Sequence, residues 1–225
     1  MFYLPVIFLI FFFYFILLIF LIFILQIGII SFAFERIGIP GEYIFFLLFL
    51  TLFGSMINIP IKKISTEVIV PGQVINFFGW RFRIPSTRYQ NETLIAVNLG
   101  GALIPTAISL YIVLSKPNLL IQNIFAVTVV SFAVHLIARP VRGVGIVTPA
   151  FLPPLIAALT ALIIKPSYAP LIAYVSGSLG TLIGADLMNL RRIGELGAPV
   201  ASIGGAGTFD GIFLTGIFAV ILTSF

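Results

Sequence analysis

The chain alternates between long apolar runs and short polar segments. Its first 34 residues contain no charged side chain, and they favour a long, tilted span from about Pro5 to Ser31, because a helix needs about 20 apolar residues to cross a bilayer. Six further apolar runs follow, at 43–59, 94–114, 119–138, 153–164, 168–190 and 210–225. The pattern predicts an all-α integral membrane protein with about seven transmembrane helices in one polytopic domain, 1–225. A re-entrant segment over 146–164 is the alternative for the shortest run.

The longest polar stretch, 62–93, lies between the second and third apolar runs. Alternating residues at 66–70, a Pro71-Gly72 turn and a second alternating segment at 77–85 predict a small β-hairpin there. We expect the hairpin to rest on lipid headgroups, with its aromatic residues at the interface. A strand edge that receives an extended peptide is the alternative.

Composition narrows the function classes. Only 8% of the residues are charged and the mean hydropathy is +1.23, which excludes a soluble globular domain and a nucleic-acid-binding domain. The chain has no cysteine and a single histidine, His135. Cysteine chemistry and a histidine metal cluster are therefore excluded, and we expect neither a metal nor a cofactor. The lipid bilayer is the expected partner.

The basic residues indicate an orientation. With seven spans, one side of the membrane receives nine of them and the other side three, and loops rich in Lys and Arg face the cytoplasm. The nine are Lys62, Lys63, Arg81, Arg83, Arg88, Arg139, Arg142, Arg191 and Arg192; the three are Arg36, Lys116 and Lys165. This count predicts a multi-pass protein of the cell membrane with a cytoplasmic N-terminus, a cytoplasmic hairpin and an external C-terminus.

The chain has two aspartates, Asp186 near the end of the sixth apolar run and Asp210 at the start of the seventh. Both fall on the cytoplasmic side, and the connection 191–209 is short enough to bring them together. Two adjacent carboxyls share a proton, so that one acts as a base toward water and the other as an acid toward a carbonyl oxygen. The pair therefore predicts hydrolysis of a peptide bond at the membrane. The alternatives are an Asp186 ion pair with Arg191 or Arg192, and an Asp210 helix cap.

Glycines surround both aspartates and favour the close approach of a helix or of a substrate backbone. They are Gly184, Gly204, Gly205, Gly207 and Gly211. The run 202–208 has a second interpretation, the binding of an anion by backbone N–H groups.

Five further polar residues are candidates to support the site. They are Asn98, His135, Arg139, Arg142 and Asn189. We expect Asn98 to hydrogen-bond a neighbouring helix, and His135 and Arg139 to share one helix face ahead of Pro140. The segment 143–154 is expected to be irregular. The small residues Ser176–Gly184 predict a tight contact of the sixth span with the seventh.

Two resemblances rest on these motifs. At Gly184-Ala185-Asp186-Leu187, 204–213, Asn98-Leu99-Gly100-Gly101 and 139–146, the chain resembles an uncharacterised prokaryotic membrane family, domain-of-unknown-function family 1614, over most of its length after the first span. This resemblance implies no activity. The aspartate on each of two consecutive helices is distantly similar to intramembrane aspartyl proteases of the presenilin, signal peptide peptidase and prepilin peptidase type, and implies that Asp186 and Asp210 are catalytic. The Gly-x-Gly-Asp motif of those families is not matched, since two residues separate Gly207 from Asp210.

Three functions follow from the same residues. The leading hypothesis is an intramembrane aspartyl-protease-like hydrolase that acts on a membrane-spanning peptide. The second is a proton- or cation-coupled carrier in which the same aspartates bind the coupling ion. The third is a membrane scaffold without enzymatic activity. The sequence leaves the substrate and the oligomeric state open.

Overall fold

The computed structural model describes residues 6–70, 74–77, 80–83, 87–141, 145–196, 199–205 and 211–225. Most of these residues are helical. The α-helices are α1 (Val6–Arg36), α2 (Gly41–Gly54), α3 (Ile104–Ser115), α4 (Leu120–Ile137), α5 (Leu152–Ile164), α6 (Ala169–Thr181) and α7 (Gly211–Leu222). Each helix overlaps one of the seven predicted apolar runs.

Within the described residues, three helical segments are long and apolar enough to cross a membrane, namely Phe11–Arg36, Pro117–Ile137 and Pro166–Leu190. The last two include 3₁₀ turns that extend α4 and α6. The other four helices have 12 to 14 residues and are apolar but shorter. At about 1.5 Å per residue they are roughly 18–21 Å long, less than the hydrocarbon thickness of a typical bilayer.

The predicted hairpin is larger than the sequence pattern indicated. Strand β1 (Asn58–Val70) pairs antiparallel with β4 (Thr87–Asn98), and β2 (Val74–Phe77) pairs with β3 (Trp80–Arg83) toward the tip. The chain is mostly helical, as expected, but its sheet is larger than the small hairpin predicted. Two span boundaries are wrong. Ile59 and 94–98 were assigned to the second and third spans, but they belong to β1 and β4. A short apolar segment fits a helix and a buried strand equally well.

Two further sheet contacts were not predicted. Strand β7 (Val200–Ile203) pairs in parallel with the segment 94–97 of β4, which gives the order β1-β4-β7. Strand β5 (Arg139–Val141) pairs with β6 (Gly145–Val147). The segment 143–154 is thus partly regular, and Arg139 does not share a helix face with His135, because α4 ends at Ile137.

Helix α6 is the centre of the helical part. Its residues from Ile172 to Ser178 are all buried, and it packs against α3, α4, α5 and α7. Small residues allow these contacts. A side chain at Gly177 would meet the Thr215 carbonyl oxygen of α7 at 3.3 Å, and one at Gly180 would meet Val130 of α4 at 2.7 Å. The predicted small-residue contact with the seventh helix is therefore confirmed at Gly177, whereas Gly180 faces α4.

Candidate functional site

A π-helical turn places Asp186 at the end of α6. Residues Leu182–Asp186 form this turn, and a 3₁₀ helix, Leu187–Leu196, continues from it. A π turn contains nearly one residue more than an α turn, so the side chains beyond it are rotated by up to about 100° relative to a continuous α-helix. The turn thus decides which neighbour Asp186 faces.

The two faces of α6 contact different helices. Gly180 and Gly184 approach α4, since a side chain at Gly184 would collide with the carbonyl oxygen of Ser131. Tyr174 and Ser178 approach Gly216 of α7 instead. The π turn itself packs against α4, and the Asp186 side chain reaches the segment after β7.

The Asp186 carboxylate binds the glycine-rich segment that follows β7. The backbone N–H of Gly204 donates to Asp186 Oδ2, with 2.7 Å between nitrogen and oxygen. A bond between a neutral donor and a carboxylate is among the stronger hydrogen bonds. Asp186 is partly exposed. Arg192 is exposed as well. The side chain of Arg191 lies outside the described part of the chain, so the predicted ion pair of Asp186 with an arginine stays a prediction.

The conformation of Gly204 depends on its lack of a side chain. Its φ is +86°, in the left-handed region, and a Cβ there would lie 2.6 Å from the Cβ of Ala102. The next residue, Gly205, has a φ of +83°. The N–H of this glycine run therefore does bind an anionic group, and that group is the protein's own carboxylate.

A polar junction around the buried Asn98 connects β7 to the π-helical turn Leu99–Leu103 that follows β4. Asn98, at the end of β4, donates to the Ser55 carbonyl oxygen (2.7 Å) and to Asn58 Oδ1 (3.0 Å), and accepts from the Gly101 N–H (2.8 Å). The Ser202 hydroxyl of β7 donates to the same Asn58 oxygen at 2.6 Å. Asn98 thus contacts residues near a neighbouring helix, as predicted, but from a strand end. These bonds fix the position of β7, and Gly204 directly follows β7 in the chain.

His135 and Asn189 join the ends of α4 and α6. Asn189 Nδ2 lies 3.2 Å from His135 Nδ1 and donates to the Ala185 carbonyl oxygen at 2.9 Å. Asn189 is 1% exposed. His135 and Asn189, two of the predicted supporting residues, therefore lie in contact. Asn189 is three residues beyond Asp186 in the chain, and the pair stabilises the turn and does not face the carboxylate.

The other predicted site residues are placed as follows. Gly211 begins α7, with open space around it, and Arg139 is an exposed residue of β5. Asp210, Gly207 and Arg142 lie outside the described residues. The pairing of Asp186 with Asp210 and the capping role of Asp210 therefore both stay predictions. Within the described ranges, no three His, Asp or Glu side chains group as they would around a metal ion.

Two residues of the polar junction were missed by sequence reasoning. Asn58 and Ser202 are separated by 144 positions, and no local pattern relates them. The only signal near Ser202 is the short apolar run 200–203 between Pro199 and Gly204, which is typical of a short strand with turn residues at its ends.

The fold and the site define a mostly helical protein with three helices able to cross a membrane. An aspartate ends its central helix, bound to a glycine turn at the edge of a small sheet. The chain belongs to the family described as Protein of unknown function (DUF1614), whose model matches residues 52–222. No curated protein and no solved structure matches the chain. The similarity to intramembrane aspartyl proteases therefore stays a prediction.

Proposed function

We propose that the protein is an intramembrane hydrolase that cleaves a peptide bond with Asp186 and Asp210. The observation that supports this most is the bond from Gly204 N–H to Asp186 Oδ2. This bond holds the Asp186 carboxylate at Gly204, six residues before Asp210 in the chain. Among the described residues, Asp186 Oδ1 has no such bond and is the oxygen left for chemistry.

The packing of α6 on α7 favours a short distance between the two carboxylates. Gly204 lies at the end of α6, where it binds Asp186. Farther along the chain, Gly216 of α7 contacts Gly177 in the middle of α6. Helix α7 is therefore antiparallel to α6. At about 1.5 Å per residue, Asp186 lies about 13 Å beyond this contact and Gly211 about 8 Å beyond it, in the same direction. Asp210 immediately precedes Gly211.

The proposed reaction needs only water. One carboxylate removes a proton from water while the other carboxyl donates its proton to the carbonyl oxygen, which gives a tetrahedral diol. Transfer of a proton to the amide nitrogen then breaks the carbon–nitrogen bond and releases an acid and an amine. The edge strand β7 lies immediately before Gly204 and is the natural place for an extended substrate backbone to approach.

We propose that the protein is a multi-pass membrane protein of the cell membrane, with its sheets in the cytoplasm. The pairing of β4 with β7 and the contacts of β1 and β5 with the segment 187–196 gather three connections at one end of the helices. Those connections contain the nine basic residues, and the opposite end has three. Reporter fusions at 62–93 should therefore be cytoplasmic, with Phe225 outside. An external hairpin would contradict this orientation.

The test of the hydrolase is cleavage of a quenched fluorescent membrane-spanning peptide by purified protein in lipid nanodiscs. Asp186→Asn and Asp210→Asn should each reduce cleavage to background. Glu92→Gln, which neutralises an exposed carboxylate on β4, is the matched control and should leave cleavage unchanged. Cleavage in H₂¹⁸O should put one heavy oxygen into each new carboxyl group. Cleavage that persists in both aspartate variants would contradict the proposal.

A proton- or cation-coupled carrier is the second candidate, and polar side chains buried in α4 favour it. Asn123 is 2% exposed, and neither of its amide atoms has a hydrogen bond to the part of the chain that the structure describes. Polar groups inside a membrane protein commonly mark a pathway for an ion or a substrate. A carrier would acidify vesicles under an imposed gradient and cleave no peptide. For a carrier, Asn123→Leu would then stop transport. Peptide cleavage that is lost in the aspartate variants and kept in Asn123→Leu favours the enzyme.

A further inference from the structure

Two arginines directly follow segments that are able to cross a membrane. The segment Pro117–Ile137 ends two residues before Arg139, and Pro166–Leu190 ends two residues before Arg192. Helices α4 and α6 are parallel, because successive glycines of α6 lie beside successive residues of α4. These neighbours are Gly180 with Val130, and Gly184 with Ser131 and His135. Both arginines therefore lie at the same membrane surface, at the depth of the lipid headgroups.

Two lysines at the base of the hairpin lie at the same end of the helices. Lys62 and Lys63 pair with the two residues of β4 that also pair with β7. The segment 187–196, which contains Arg192, contacts β1, and it also contacts β5, which begins at Arg139. The fold thus gathers four cations from three parts of the chain beside the ends of α4 and α6.

The charge of this group is not balanced within the described part of the chain. All four cations are exposed, and none of them forms an ion pair with another described residue. Glu92, an exposed residue of β4, pairs with Ser65 two residues beyond Lys63, and it forms no ion pair with either lysine. Like charges that a fold brings together attract an anion from outside the protein.

Exposed apolar side chains accompany the cations on all three elements. They are 40% to 63% exposed, and they are Ile59 and Ile61 on β1, Val141 on β5, and Leu187 and Met188 in the segment 187–196. A soluble acidic partner would match the cations alone. The boundary between headgroups and acyl chains matches both kinds of side chain, because Lys and Arg reach the phosphates while apolar side chains enter the acyl region.

We propose that the surface defined by Lys62, Lys63, Arg139 and Arg192 binds the headgroups of anionic phospholipids in the adjoining leaflet. A net negative headgroup distinguishes these lipids from phosphatidylcholine, which is zwitterionic. The proposal goes beyond the proposed hydrolysis. It rests on the helix ends and on the distribution of charge, so it holds in either orientation of the chain and whether or not a peptide is cleaved.

The test is native mass spectrometry of the purified protein in detergent, with equal amounts of phosphatidylglycerol and phosphatidylcholine that have the same acyl chains. A cation near an anionic surface strengthens binding by about five-fold. We therefore expect the parent protein to retain phosphatidylglycerol over phosphatidylcholine by about ten-fold or more. The double variant Lys62→Gln with Lys63→Gln should lose most of this preference, whereas Lys62→Arg with Lys63→Arg should keep it.

The chain offers a matched control at the opposite end of the same helices. Lys116 and Lys165 immediately precede the segments that begin at Pro117 and Pro166. The double variant Lys116→Gln with Lys165→Gln removes the same charge as the test variant, and it should leave the lipid preference unchanged. A circular dichroism spectrum and a melting temperature for each variant show that it is folded.

A second measurement distinguishes a lipid from a soluble phosphate. Glycerol 3-phosphate in large excess should leave phosphatidylglycerol bound, because it has no acyl chains to contact the apolar side chains. Ile61→Ser should weaken the retention of both lipids to a similar extent, since it removes apolar surface and no charge.

Four results would overturn the proposal. They are equal retention of the two lipids by the parent protein, an unchanged preference in Lys62→Gln with Lys63→Gln, an equal loss in the control variant, and displacement of the lipid by glycerol 3-phosphate. Failure of peptide cleavage together with the expected lipid preference would tell against the hydrolase alone.

Discussion

The strength of the contact between Gly204 and Ala102, in the turn Leu99–Leu103 ahead of α3, can be measured with a pair of glycine variants. Gly204 and Gly38 have nearly the same backbone conformation, with φ of +86° and +84°. Their surroundings differ: a Cβ at Gly204 would lie 2.6 Å from Ala102 Cβ and 2.7 Å from Ala102 N, whereas one at Gly38 would meet nothing within 4 Å. The difference in the free energy of unfolding between Gly204→Ala and Gly38→Ala therefore measures the steric cost of a side chain at Gly204.

The expected losses of stability follow from two costs, the left-handed backbone conformation and the steric overlap. An alanine in the left-handed region costs about 1–2 kcal/mol of the free energy of unfolding. Overpacking adds about 1–3 kcal/mol. Gly38→Ala should therefore lose about 1–2 kcal/mol and Gly204→Ala about 2–5 kcal/mol. The change in the unfolded chain is the same in both and cancels. For a chain of this size each kcal/mol lowers the melting temperature by roughly 2–4 °C.

The assay is thermal unfolding followed by circular dichroism at 222 nm in one detergent, together with peptide cleavage in nanodiscs. Gly204→Ala should melt several degrees below Gly38→Ala and lose cleavage, because the displaced turn no longer presents its N–H to Asp186. Gly38→Ala should keep full cleavage. Equal melting temperatures for the two variants would refute the close packing of Gly204 on Ala102, and with it the fixed position of the Asp186 bond.

Two further predictions concern the supports of the site. Gly184→Ala should destabilise the fold by about 1–3 kcal/mol in chemical unfolding, because its Cβ would collide with the Ser131 carbonyl of α4; Gly28→Ala, with open space on α1, should be neutral or gain up to about 1 kcal/mol. Asn98→Ala should cost about 2–4 kcal/mol, since it leaves two buried backbone groups without partners. Asn98→Asp should recover part of this loss; no recovery would tell against the bond to Gly101.

The helices were predictable because their signal is local. A long apolar run can bury itself only as a helix in lipid, where each backbone group must be satisfied within the segment. Each α-helix overlaps a predicted run, and the run 153–164 differs from α5 by a single residue. Strands within 62–93 were also predictable, since alternation is a local feature. Their pairing was not, because the segment 66–70 pairs with 87–91 and not with 77–85, and the predicted Pro71-Gly72 turn lies outside the described residues.

The parts that failed depend on distant partners. Residues 94–97 are as apolar as a helix, and only their pairing with β1 and β7 makes them a strand. Strand β7 has four residues, too few for alternation to show. The π turn that ends at Asp186 leaves no mark in the hydropathy pattern. Polar residues such as Asn98, Asp186 and Asn189 could therefore be singled out from the sequence, but their hydrogen-bond partners could not.

The parallel pairing of β7 with β4 has a consequence for biosynthesis. The two strands are about a hundred residues apart in the chain, and contacts at such separation form late, because the loop between them must close first. During translation the hairpin and helices α1 to α6 leave the ribosome before β7 does. The bond between Gly204 and Asp186 can form only afterwards. A nascent chain therefore contains an Asp186 without its backbone partner until nearly the whole molecule has been made.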